Sequence, residues 1–238
     1  MLQNKVSILS TRHLSEAILK YALSKNISVY EMPFIKTDSV LTDEVINEIE
    51  QTLTKSSTVV FTSVNAVAVV AQKVKDLKPS WRIFCIGHTT RQSAEKYFGK
   101  GSIAGIADNA KELAKEIINE NISEVIFFCG DQRRDELPDS LKEKNIKINE
   151  VPVYQTIMTP HKIEKNYNGI LFFSPSAVKS FFQINQINDE VVLFAIGNTT
   201  AEEIKKNTTN KIVISDEPGQ KGLLEKVTAY FQTNPVHH

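Results

Sequence analysis

The sequence has few cysteines, few glycines and no surplus of charge of either sign. Only Cys85 and Cys129 occur, each inside an apolar string, WRIFCIG and VIFFCGD. That usage excludes a disulfide scaffold and points to packed thiols in a reducing, cytoplasmic setting. Lys plus Arg number 28 and Asp plus Glu number 28, so the formal charge is 0. A protein that coats nucleic acid with its whole surface is thereby excluded, and any anion site must be local. With 9 Gly and 8 Pro among 238 residues the chain is neither collagenous nor low-complexity. No apolar run reaches membrane-spanning length, and the opening MLQNKVSILSTRH lacks the pattern of a secretory signal.

Several chemical signatures are missing as well. Neither a Gly-x-x-x-x-Gly-Lys-Ser/Thr loop nor a Gly-x-Gly-x-x-Gly fingerprint occurs, which removes the usual cradles for nucleotides. His13, His88 and His161 are scattered without metal-binding spacing, so no metal is expected. Trp81, at the start of an apolar run, reads as packing surface. His237 and His238 read as the remnant of an affinity tag and are set aside.

What is present is alternation. Short β-branched runs, KVSIL, ISVYEM, STVVF, WRIFCI, GSIAGI, SEVIFF, IKINEV, NGILFF, VVLFAI and KIVIS, alternate with amphipathic stretches. The spacing predicts helices over about 13–25, 64–77, 89–98, 109–120, 133–143, 175–184, 199–206 and 220–232. Strand and helix in turn mean an α/β protein with parallel sheets.

The chain also repeats itself. KVSILS…LSKNISVYEMPFIKT matches SEVIFFCG…LKEKNIKINEVPVYQT, with Asn26 answering Asn145 and Pro33 answering Pro152. VVFTSVNAVAVV followed by IFCIGHTT matches ILFFSPSAVKSFF followed by IGNTT, so Ser63 answers Ser174, Gly87 answers Gly197 and Thr90 answers Thr200. Because proline is poorly tolerated in central strands, the two proline-bearing segments, about 29–36 and 148–156, read as extended connectors lying side by side. The expected architecture is two doubly wound α/β domains of about five strands each, joined by a two-stranded linker. The first domain is discontinuous, residues 1–34 and 155–238; the second spans 35–154.

In open parallel sheets, ligands bind beyond the carboxyl ends of the strands. The polar residues that stand out fall there: Thr11 and Arg12; Thr62, Ser63 and Asn65; Gly87 and Thr90; Gly130, Arg133 and Arg134; Ser174 and Ser176; Gly197, Thr199 and Thr200. Two such rims on a hinge would make a cleft. Hydroxyls at helix starts cap unpaired N–H groups without any ligand. Gathered on one rim they also favour an anion, met by helix N-termini. A two-cysteine racemase does not fit, because Cys85 answers Ala195 whereas Cys129 answers Ser10, so the thiols are not symmetry mates.

FTSVNAV, IGHTT, FFCGDQRRDELPDSLKEKNIKINEVPVYQT, FFSPSAVKSF, IGNTTA and a closing P-x-x-x-G-L over Pro218 to Leu223 together resemble the uroporphyrinogen-III synthase family, in its order and over nearly the whole chain. The resemblance implies two flavodoxin-like domains and a monomeric lyase that needs no cofactor or metal. Its substrate would be hydroxymethylbilane, a linear tetrapyrrole polycarboxylate, closed into uroporphyrinogen III with loss of water and inversion of the last ring. Tyr154 matches the tyrosine proposed in that family as proton donor to the departing hydroxyl. A phenol is protonated at neutral pH and so suits donation, yet a linker tyrosine that orders the hinge is equally compatible with the position. The resemblance also points to Thr62, Ser63, Thr90, Ser174, Ser176, Gly197 and Thr200 as substrate contacts, with Arg12, Asn65 and Arg134 nearby. It departs at Thr11-Arg12-His13, where the family often has Thr-Arg-Pro, and at Arg91, where Ala is frequent. A cytoplasmic hinge protein that binds a small polyanion without chemistry shares all these rim features.

Overall fold

The structure, a computed structural model, describes residues 5–75, 77–217 and 219–236. Pro218 of the closing motif, and His237 and His238, lie outside the described residues. The chain divides into two compact units: unit 1 is Met1–Lys36 with Ile157–His238, and unit 2 is Thr37–Thr156.

The chain starts in unit 1 with β1 (Val6–Ser10), α1 (Glu16–Ser24) and β2 (Ile27–Glu31). It leaves through β3 (Ile35–Ser39) and builds α2 (Asp43–Leu53), β4 (Ser57–Phe61), α3 (Val64–Val74), β5 (Trp81–Ile86) and α4 (His88–Phe98). A 3₁₀ turn at Lys100–Ser102 precedes β6 (Ile103–Ala107), α5 (Ala110–Asn119), β7 (Glu124–Gly130), α6 (Glu136–Lys142) and β8 (Lys147–Met158). Unit 1 is then completed by β9 (Gly169–Phe172), α7 (Pro175–Phe182), β10 (Val192–Ala195), α8 (Asn198–Lys205), β11 (Ile212–Ile214) and α9 (Gln220–Thr233).

Unit 1 has a five-stranded sheet in the order β11-β10-β9-β1-β2, with every adjacent pair parallel. The sheet of unit 2 runs β6-β5-β4-β7-β8, also parallel, with β3 added beside β8. The two orders superpose as β1 on β7, β2 on β8, β9 on β4, β10 on β5 and β11 on β6, and the first four are the pairs the sequence repeat matches. Each unit is therefore the same doubly wound sheet, entered by the chain at a different point. Asn26 and Asn145, the repeat partners, both hold the left-handed backbone conformation, φ 60° and 59°, where a helix ends and a strand begins.

Both sheets are buried on two faces, as parallel sheets must be. One face of the unit 2 sheet packs Phe61, Phe128, Trp81, Val67 and Val153 under α3; the other packs Val60, Phe84, Phe127, Leu113 and Leu141 under α5 and α6. In unit 1, Leu9, Phe34, Phe172, Phe181 and Ile204 fill one face, and Ile8, Leu171, Phe194, Leu223 and Val227 the other. Trp81 is a packing residue, its ring beside Phe98 and Phe128 and its indole N–H donating to the Thr52 carbonyl at 2.9 Å.

Three features differ from the sequence reading. Helix α2 was not expected; its Val45, Ile49 and Leu53 stripe is amphipathic and Thr42 caps it, accepting from the Val45 N–H at 3.4 Å. The segment around Glu150 is more than a connector, because β8 pairs with β7 from Lys147 to Tyr154 and lies inside the sheet. Pro152 is tolerated there because the ladder skips a residue beside it: Cys129 faces Pro152, but Gly130 faces Tyr154. Likewise Ile27–Glu31 is an edge strand of unit 1 rather than linker. The linker pair is β3 with the far end of β8, joined by Val40 N–H to the Val153 carbonyl at 2.8 Å and Thr159 N–H to the Phe34 carbonyl at 2.9 Å. Residue numbers rise along one strand as they fall along the other, so this pair is antiparallel.

Candidate active-site rims

In unit 2 the loops after β4, β5, β7 and the ladder end of β8 share one edge of the sheet. Ser63 begins α3 in an extended conformation, and its hydroxyl accepts from the Asn65 N–H at 3.1 Å. The same oxygen accepts the Tyr154 hydroxyl at 3.1 Å. Tyr154 is half-buried against the core face that contains Phe61 and Phe128. Burial pushes its phenol above the ordinary value near 10, and the hydrogen bond to Ser63 offsets only part of that rise. The group is consequently a neutral donor throughout the physiological range. The Asp131 N–H donates to the Tyr154 carbonyl at 3.0 Å, and the Thr156 N–H donates to the Asp131 carboxylate at 2.9 Å, so the main chain on both sides of the tyrosine is fixed.

Gly87, φ 82°, begins α4, a backbone conformation that disfavours any side chain. Thr90 follows in the first turn and is 6% exposed; neither it nor Thr62 has a hydrogen-bonded side chain among the described residues. The one sealed and unpartnered side-chain oxygen among those residues is that of Ser180, so the Thr90 hydroxyl still reaches the surface. Asn65 is exposed on the first turn of α3. Arg134 is exposed in the loop before α6. That loop runs to residue 135 because Arg133 is held by Glu150 and Asp135, which delays the helix expected from 133.

Unit 1 presents the matching edge. Ser174 caps α7, accepting from the Ala177 N–H at 3.2 Å, and Ser176 lies in its first turn. Gly197 begins α8 in extended backbone, and Thr200, 2% exposed, takes the place of Thr90. The Thr11 hydroxyl is tied down, donating to the Leu171 carbonyl at 2.7 Å, and the Ser10 hydroxyl donates to the Arg12 carbonyl at 2.6 Å. Arg12 emerges from this braced turn with its guanidinium over the Phe173 ring, 5.4 Å from the centroid, and no carboxylate pairs with it among the described residues. A cation held by a ring face and left unneutralised suits a carboxylate of a ligand.

The site residues expected from sequence thus fall in two sets. Tyr154, Thr62, Ser63, Asn65, Thr90 and Arg134 belong to unit 2, and Arg12, Ser174, Ser176, Gly197 and Thr200 to unit 1. Sequence reasoning missed the Tyr154–Ser63 hydrogen bond and the Phe173 platform. The repeat held a signal for the first: Tyr154 stands where unit 1 has Ile35, and Gly130 where it has Thr11.

A concavity of about 630 Å³ within unit 2 lies at the opposite edge, around the starts of β4, β5, β7 and β8. Several of its charged groups are paired, Arg82 with Glu120 at 2.7 Å and Lys147 with Glu124 at 2.9 Å, and the Asn149 amide donates to the Glu48 carboxylate at 2.8 Å. It lies away from the strand ends and helix starts that carry the expected site residues, and size alone does not make it the site. No group of three or more His, Cys, Asp or Glu among the described residues is arranged to hold a metal, and no helix there is long and apolar enough to cross a membrane.

A family model described as uroporphyrinogen-III synthase HemD matches residues 16–225. The chain belongs to the uroporphyrinogen-III synthase family. It is 24% identical over 268 aligned positions to the uroporphyrinogen-III synthase of Saccharomyces cerevisiae, covering 96% of this chain and 98% of that one. Crystal structures of uroporphyrinogen III synthases share its fold. The Helicobacter pylori protein aligns with a TM-score of 0.67 at 14% identity, over 94% of this chain and 99% of that one. A mutant from Thermus thermophilus aligns with a TM-score of 0.64 at 14% identity, over 96% and 98%. Two α/β domains joined by a two-stranded linker, with the first domain discontinuous, are the architecture of both the family and this chain.

Proposed function

We propose that this chain is a uroporphyrinogen-III synthase, a lyase that closes hydroxymethylbilane into uroporphyrinogen III, working as a cytoplasmic monomer. The observation that carries the reading is the family match across residues 16–225. The rims supply a physical account of how the work would be done.

The substrate is a flexible polyacid, and spontaneous closure competes with closure after ring inversion. Binding energy spent on fixing one conformation selects between these outcomes. Helix starts at Ser63, Gly87, Ser174 and Gly197 offer main-chain N–H groups, Thr62, Asn65, Thr90, Ser176 and Thr200 offer side chains, and Arg12 and Arg134 offer charge. A neutral protein can in this way hold carboxylates without a basic surface.

Tyr154 would donate its phenolic proton to the terminal hydroxyl, which departs as water while the pyrrole nitrogen's electron pair forms the azafulvene. The substituted carbon of the last ring attacks this electrophile to give a spiro intermediate. The bond from that carbon to the bridge of the third ring breaks, the bridge carbon bonds instead to the unsubstituted α-carbon on the other side of the ring nitrogen, and the proton lost from that carbon as the pyrrole regains aromaticity restores the phenol. The tetrapyrrole supplies every electron and the net change is one water. A positioned donor of this kind contributes about 10²- to 10⁴-fold.

The test is chromatography of the porphyrin isomers formed from freshly generated hydroxymethylbilane. Predominantly type III product is expected. Type I product alone, at the uncatalysed rate, would reduce the chain to a polyanion-binding protein.

A further inference from the structure

The end of β7 does something in unit 2 that its counterpart does not do in unit 1. Gly130 has no left-handed backbone angle, so its conformation does not require glycine. Space does. A β-carbon built there would stand 2.5 Å from Tyr154 Cζ, 2.7 Å from Cε2 and 2.7 Å from the hydroxyl oxygen. The hydroxyl end of the ring therefore occupies the place a β-carbon would take, and the skipped residue beside Pro152 is what brings Tyr154 opposite Gly130. At the position of unit 1 that the repeat matches to Gly130, Thr11 is buried and donates its hydroxyl to the Leu171 carbonyl.

We propose that Gly130 is a positioning residue for the reaction: its missing side chain forms a slot that seats the Tyr154 ring, with the Ser63 hydroxyl as the stop that fixes where the phenol points. This rests on the donor role of Tyr154 for its catalytic consequence, but not for the seat itself. The nearest atoms a methyl group would meet belong to the end of one side chain, so in Gly130→Ala the ring is displaced while β7 stays paired. Displacement breaks the bond to Ser63 and moves the phenol away from core packing. A donor displaced by about 1 Å loses on the order of 10²-fold in turnover.

Three measurements test the seat. In the unaltered protein, magnetisation transfer between the Gly130 α-protons and the Tyr154 ring protons is expected; its absence overturns the proposal without any variant. In Gly130→Ala, the Tyr154 ring-carbon resonance, assigned with Tyr154→Phe, is expected to titrate at lower pH than in the parent, because the ring leaves its buried place. An unchanged titration, or a variant that does not fold, overturns the proposal, since either means that the ring did not simply yield. Turnover of Gly130→Ala is expected to fall by roughly tenfold to a hundredfold in the parent and by less than about twofold in a Tyr154→Phe background. Equal losses in both backgrounds mean that Gly130 acts elsewhere. If Tyr154→Phe alone leaves turnover intact, the donor reading fails and the seat is still decided by the first two measurements.

Discussion

Unit 1 and unit 2 are built on one sheet order and packed by the same kind of two-faced core, yet their rims are not copies. Unit 2 places a neutral phenol against a glycine and holds it with Ser63. Unit 1 puts a braced threonine at the same corner and, one residue on, a guanidinium over Phe173 that no carboxylate among the described residues pairs with. Duplication supplied two equivalent sets of strand ends and helix starts, and on the function proposed above a few substitutions at one corner would assign proton donation to unit 2 and anion holding to unit 1. The shared parts should respond alike to mutation, and the substituted parts should not.

The largest effect tests the shared part. Phe61→Ala in unit 2 and Phe172→Ala in unit 1 remove fully buried rings, Phe61 stacked on Phe98 and Phe128, and Phe172 packed against Phe181 and Phe182. Each is expected to cost about 3–5 kcal/mol, with hydrogen-exchange protection lost in the strands of its own unit. A loss in one unit only would mean that the two cores are not equivalent.

A difference of comparable size concerns the thiols, which unit 1 lacks because Ser10 and Ala195 stand in their places. Burial, reinforced by Glu95 beside Cys85 and Glu150 beside Cys129, pushes each thiol from 9.0 up to about 12. The native state keeps protons that the unfolded chain has released, so the contribution is complete below pH 9 and is lost as pH rises toward 12. Each thiol adds a slope of about −1.4 kcal/mol per pH unit in that window. Denaturant titrations of Cys85→Ala with Cys129→Ala from pH 9 to 11 should show a shallower decline than the parent; an identical decline would remove the thiols from the account.

Next comes the anion-holding rim. Arg12→Gln should raise KM by about tenfold, the value of one charge-assisted hydrogen bond, with kcat little altered. A fall in kcat at unchanged KM would move Arg12 into the chemistry. The smallest effect is the sharpest contrast. Ser63→Ala and Ser174→Ala each delete a helix cap and should each lower stability by about 1 kcal/mol. Only the first also releases Tyr154, so turnover at saturating substrate should drop for Ser63→Ala well beyond any change for Ser174→Ala. Matching kinetics would erase the distinction between the rims.

Much of this is legible in the sequence alone. The alternation of β-branched runs with helical stripes fixes a parallel α/β protein, and repeat partners such as Asn26 and Asn145 arrive at the same left-handed angle because the same helix-to-strand corner recurs. Helix α2 escaped because no strand-like run announces it and its stripe carries only a few apolar residues. Glu150 to Tyr154 was misread because proline argues against a central strand, and the skipped residue that admits Pro152 depends on β7, a partner more than twenty positions away. The site shows the same limit. Residue types placed Ser63, Thr90, Ser174 and Thr200 on the rims, whereas the Tyr154 seat needs β7, β8 and α3 to meet, and no local spacing encodes such a meeting.

The central claim is that proton donation belongs to the corner where unit 2 departs from unit 1. It is tested most directly by the turnover of Tyr154→Phe at saturating hydroxymethylbilane, with thermal stability measured in parallel. The account predicts a loss of roughly a hundredfold in kcat with KM and the unfolding temperature nearly unchanged. A variant that turns over at the parent rate would contradict it.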